Sequence, residues 1–61
     1  MKDVYTIGTY NIRLSQIASL QMLASYQCRI HLMSGAILDL YSTSDQFIKD
    51  LAKLEKNFQL Q

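Results

Sequence analysis

Two alternating segments on either side of Ser34 and Gly35 constrain this chain more than any other feature. Cys28, Ile30 and Leu32 fall on one side of the first segment, and Gln27, Arg29, His31 and Met33 on the other. In the second segment Ala36, Leu38 and Leu40 alternate with Ile37, Asp39 and Tyr41. This is the pattern of two half-buried strands, over 26–33 and 36–42. A two-residue loop between them would set Ile30 opposite Asp39 and bury a carboxylate among aliphatics, which is costly. A three-residue loop, Met33-Ser34-Gly35, leaves Gly35 free to take the left-handed conformation of a G1 bulge. Leu32 then faces Ala36, Ile30 faces Leu38 and Cys28 faces Leu40, while Arg29 meets Asp39 as an opposite-charge pair on the other side. A slip of one residue breaks all of these agreements, so this register is expected.

Beyond Ser44 the period of the apolar residues changes. Phe47, Ile48, Leu51, Leu54 and Phe58 form one helical stripe, with Ala52 at its margin. Asp45, Gln46, Lys49, Asp50, Lys53, Lys56 and Asn57 lie between them and face water. The spacing predicts a helix over 44–58. Its start offers Thr43 as N-cap with Gln46 completing a capping box, or Ser44 alone as the cap. Asp45 in the first turn and Lys53 and Lys56 in the last ones follow the helix dipole, and Asp45 to Lys49 is a favourable i,i+4 pair.

The first 25 residues are less sharply patterned. Val4 to Ile7 is rich in β-formers, Gly8 marks a turn or bulge, and Tyr10 to Leu14 is a second short extended piece. Ser15 is placed to cap a helix across Gln16 to Ala24, with Ile17, Leu20 and Ala24 on one face. The same residues also read as a single turn at Ser15–Ile17 followed by a strand, with Ala18, Leu20 and Met22 on one side. Helix propensity favours the first reading. A lone hairpin, however, is marginal without a third strand, and this favours the second. The expected fold is a single small α+β domain over 1–61. It has an antiparallel sheet of three to four strands, with the C-terminal helix packed on one face.

With 49% hydrophobic and 18% charged residues, the composition is that of a globular chain and not of a disordered or collagen-like one. No apolar run reaches the roughly 20 residues of a membrane-spanning helix, so no membrane partner is expected. Met1-Lys2-Asp3-Val4-Tyr5 lacks the apolar region of a secretion signal. Cys28 has no second cysteine to pair with, which fits a reducing, cytoplasmic compartment.

The order of signals over 12–51 has a familiar shape. Ile12, Arg13, Leu14, Ser15, Gln16 and Ile17 precede an extended piece. Arg29 to Gly35, an alternating strand, Ser44 and an amphipathic helix then follow. The arrangement resembles the compact small flagellar proteins of the FlbD and SwrD type, and it is similar to the β-rich half of LytTR DNA-binding domains. The resemblance is anchored on Ile17, Gly35 and the helix cap at Ser44. It implies topology and carries no functional residues. LytTR domains are longer and end in basic residues that contact DNA, whereas here the last five residues are Asn57-Phe58-Gln59-Leu60-Gln61.

Little catalytic chemistry is legible. Cys28 and His31 are three residues apart, which on a strand sends them to opposite faces, Cys28 into the core and His31 outward. One Cys and one His supply two of the four ligands of a structural zinc site, so neither metal nor cofactor is expected. Of the five carboxylates, Asp39 is paired with Arg29, Asp45 serves the helix start, and Asp50 and Glu55 alternate with lysines. Gly8 and Gly35 are isolated and form no phosphate loop. A chain of this size also has little room for a pocket of a few hundred Å³, and an enzyme is not expected.

Two surfaces remain as candidates. Net charge is +1, with Lys2, Arg13 and Arg29 against Asp3 and Asp39 before residue 44, and three lysines against three acids after it. A nucleic-acid-binding regulator would rely on Lys49, Lys53 and Lys56 along one side of the helix, with Arg13. The favoured surface is the outer side of the hairpin, where Arg29, His31, Met33, Ile37, Asp39 and Tyr41 gather, with Gln27 beside them. A solvated sheet face should be polar, and this one carries Met, Ile and Tyr around a paired charge. Either a partner covers it or the segment with Val4, Tyr5, Ile7 and Tyr10 folds over it. The expectation is a small regulator, adaptor or inhibitor of bacterial or phage type, forming a homodimer or engaging a larger host protein. A short chain without disulfide or metal gains much from such a partner.

Overall fold

A computed structural model of the chain describes residues 3–60. The elements run β1 (Val4–Ile7), β2 (Tyr10–Arg13), a 3₁₀ turn (Leu14–Gln16), β3 (Ile17–Ala24), β4 (Gln27–Leu32), β5 (Ile37–Tyr41) and α1 (Asp45–Gln59). The architecture is α+β. The strands form two antiparallel sheets, a β1–β2 hairpin and a three-stranded β3–β4–β5 sheet, in place of one continuous sheet.

The β4–β5 register is the expected one: Cys28 lies opposite Leu40, Arg29 opposite Asp39 and Ile30 opposite Leu38. The Leu32 N–H donates to the Ala36 carbonyl at 2.9 Å, and the Gly35 N–H donates to that of Leu32 at 3.0 Å. Gly35 has φ +93°, a conformation that the three-residue loop requires and that side chains disfavour. The strand ends are one residue shorter than expected at each side, so Met33 lies in the turn.

Residues 15–24 take the turn-then-strand form. The side chain of Asp3 secures the turn by accepting from the Ser15 N–H at 3.1 Å and the Ser15 hydroxyl at 3.3 Å. β3 then pairs with β4, placing Leu20 opposite Ile30 and Met22 opposite Cys28. Ala18 does not join Leu20 and Met22 on the inner side as expected. The ladder shifts between Ile17 and Ser19, so Ala18 is the extra residue of a bulge and is exposed. A second shift falls between Met22 and Ala24, and Leu23 between them is exposed. In the N-terminal hairpin Ile7 lies opposite Tyr10, so the loop is the pair Gly8-Thr9. Gly8 has φ +62° and no non-glycine residue among those described has positive φ, the pattern of a II′ turn with glycine first.

The helix begins one residue after its cap. The Ser44 hydroxyl accepts from the Phe47 N–H at 3.3 Å, so Ser44 alone is the cap. Gln46 donates to Asp50 at 2.9 Å, not back to Thr43, and this replaces the capping box with an i,i+4 contact. Phe47, Leu51 and Leu54 are buried with Ile48 and Phe58 partly so, while Ala52 faces water. Their neighbours in the core are Tyr5, Ile7, Ile12, Leu14 and Ile17 from the N-terminal third, and Cys28, Ile30 and Leu40 from the sheet. One core therefore joins both sheets to the helix.

Candidate functional site

The outer face of the three-stranded sheet is assembled in rows that the pairing dictates. Gln21, Arg29 and Asp39 form the central row, and Ser19, His31 and Ile37 the row beside it. Gln27 and Tyr41 face each other on the far side. The Arg29 Nε donates to the Asp39 carboxylate at 2.8 Å, with both side chains open to solvent. Such an exposed pair contributes about 0–1 kcal/mol to stability and chiefly fixes where the two charges stand.

Around it lie side chains that solvent does not favour. Ile37 is 55% exposed, Tyr41 63% and Met33 69%. His31 is half-buried between Ser19 and Ile37. The N-terminal segment does not cover this face, because Tyr5, Ile7 and Ile12 are spent in the core on the helix side. Two further contributors were not read from the sequence. Leu23 is 44% exposed, and Tyr26 meets the Tyr41 ring edge-on with centroids 5.5 Å apart. Leu23 was within reach, since Ser19, Gln21 and Leu23 alternate with Leu20 and Met22. Tyr26 was not, because its contact depends on the turn that brings β4 back.

Cys28 is fully buried on the opposite face from His31. Burial pushes its thiol up to about 11, and the carboxylates of Asp39 and Glu55 add to the effect. A thiol held protonated in this way is no nucleophile at neutral pH. No three His, Cys, Asp or Glu side chains come together to hold a metal ion among the described residues. Nor is any helix there long and apolar enough to cross a membrane.

The residues of the other candidate surface come from two elements. Lys49, Lys53 and Lys56 are exposed on α1, interleaved with Asp45, Asp50 and Glu55, whereas Arg13 ends β2 opposite Val4.

The expectation that a chain of this size has little room for a pocket of a few hundred Å³ is not met. A cleft of about 530 Å³ opens where the tip of the N-terminal hairpin, the rim of β5 and the first turns of α1 meet. It exists because β1 and β2 form a separate sheet, which leaves a gap that one continuous sheet would have closed. Comparison with protein-family models, curated proteins and solved structures finds no match for the chain.

Proposed function

We propose that this chain is a non-enzymatic protein-binding module, a small regulator, adaptor or inhibitor, which acts through the outer face of its sheet as a homodimer. The observation that carries the reading is the uncovered cluster of Met33, Ile37 and Tyr41 around the Arg29–Asp39 pair. Aromatic residues, Met and Arg are enriched at interfaces, and a central charge pair would fix the orientation of the two partners. His31 sits within the same patch and would be covered with it. A larger protein is the other partner this face would accept.

Ile37→Lys tests the reading. The side chain points away from the core, so the monomer keeps its helix and sheet. In a dimer the new ammonium would be buried against Met33 and Tyr41 without a partner, at a cost of several kcal/mol. Analytical ultracentrifugation is expected to give a dimeric parent and a monomeric variant with unchanged circular dichroism. A parent that stays monomeric at high micromolar concentration removes the homodimer. A salt titration of DNA binding separates this reading from a nucleic-acid regulator acting through Lys49, Lys53, Lys56 and Arg13, since only the latter gives a steep slope.

A further inference from the structure

The two edges of the three-stranded sheet are not alike. β3 is interrupted by register shifts at both ends, the kind of irregularity that keeps an edge from pairing with another chain. β5 is regular, without bulge, proline or lysine, and its one charge is held by Arg29 on the outer face. The Ala36 carbonyl and the Ser42 N–H both engage the β4 side. By the alternation of an antiparallel ladder, the N–H and C=O groups of Ile37, Asp39 and Tyr41 therefore point outward, away from β4. The cleft lies along this rim.

The buried side chains of Ile7, Leu40 and Phe47 line the cleft together with the exposed rings of Tyr10 and Tyr41. Its charged lining residues are Asp39 and Asp50, with no Lys, Arg or His among them. At Gly8, on the opposite wall, even an added Cβ would meet nothing within 4 Å, so the wall leaves room for a backbone to pass.

We infer that β5 accepts an additional strand in this cleft, supplied by an extended partner segment in which apolar residues alternate with basic ones. Free backbone groups along a regular edge select an extended chain over a helix. The apolar lining selects alternate apolar side chains, and because Asp39 is already paired with Arg29, Asp50 is the carboxylate that selects cations over anions. The site adjoins the outer face and shares Asp39 and Tyr41 with it, but it is built on the backbone edge of β5 and on Ile7, Phe47 and Asp50, which that face does not use.

The probe is a capped Val-Lys-Val-Lys-Val-Lys peptide, followed by amide hydrogen exchange and chemical shifts of the full chain. Without peptide, the amides of Ile37, Asp39 and Tyr41 exchange fast and those of Leu38 and Leu40 slowly. Saturating peptide is expected to slow the first three by about tenfold or more. A Val-Glu counterpart and a peptide N-methylated at alternate residues should each bind at least about tenfold more weakly, and Asp50→Lys should weaken the Val-Lys peptide similarly. No response at millimolar peptide overturns the inference, as does equal binding of the acidic peptide. So does a response confined to Arg29 and His31. Protection of the three amides that grows with protein concentration alone would assign the edge to a second copy and overturn the basic partner.

Discussion

Cys28 illustrates how one residue type carries two opposite meanings. Three residues from a histidine it suggests a nucleophile, yet the strand separates the two side chains to opposite faces of the sheet. Its thiol titrates near 11 in the fold against an ordinary 9.0, because burial first, and Asp39 and Glu55 after it, disfavour the thiolate. The folded state thus holds this proton more tightly than the unfolded state does. The stability so contributed is fully present below 9.0 and is lost as the pH rises from there through about 11. Urea unfolding across this window should show the parent losing about 2 to 3 kcal/mol more than Cys28→Ala. All other ionisable groups are common to both proteins, so the difference isolates the thiol. Parallel pH curves would show that the thiol titrates alike in both states. In agreement with its burial, Cys28 should resist alkylation at pH 8 until the chain is unfolded.

At the scale of elements, the helix and the β4–β5 hairpin depend on a few deeply buried contacts. Ile30 and Leu51 are both fully buried, one at the centre of the sheet and one on the helix stripe. Either residue changed to Ala should cost about 2 to 5 kcal/mol, with the loss shared by helix and sheet signals in thermal melts. Variants that melt like the parent would remove the packing of α1 on the sheet. These two elements were legible because several constraints agreed on each of them. In the hairpin, the glycine, the apolar matches and the Arg29–Asp39 pair all required one register. In the helix, the 3.6-residue stripe and the polar run Thr43-Ser44 fixed the start to within a residue, with the choice between Thr43 and Ser44 as cap left to the structure. The segment from Ile17 to Ala24 had no such agreement, since nothing after Ile17 is β-branched and its strand form depends on pairing with β4. The bulge at Ala18 escaped for the same reason, as a register shift is set between strands and leaves no trace in one strand's alternation. The cleft was illegible because it arises from the separation of two sheets, and no local pattern records which strands fail to meet.

For the whole molecule, the question is whether two sheets without a shared ladder behave as one unit. The backbone bonds beyond the ladders extend each hairpin and do not join the two sheets: the Leu14 N–H donates to Asp3 at 2.9 Å next to the β1–β2 pairing, and the Met33 N–H donates to Gln16 at 2.8 Å next to the β3–β4 pairing. The core, in contrast, is continuous, with Tyr5 and Ile7 of β1 packed in the same cluster as Leu51 and Leu54 of α1 and Ile30 of β4. A two-stranded hairpin has little stability alone, so β1 and β2 should persist only while that shared core does. Native-state hydrogen exchange tests this. The amides of Tyr5 and Ile7, which the pairing with β2 engages, should open with the same free energy as the amide of Ile30. Ile7→Ala should then lower the opening free energy at all three positions together, by about 2 to 5 kcal/mol. If the substitution loosened only the hairpin, the N-terminal strands would be an independent flap. The cleft between them and β5 would then have a moving wall. Equal loss at all three positions would make that wall as rigid as the core, as a preformed groove for an extended segment requires.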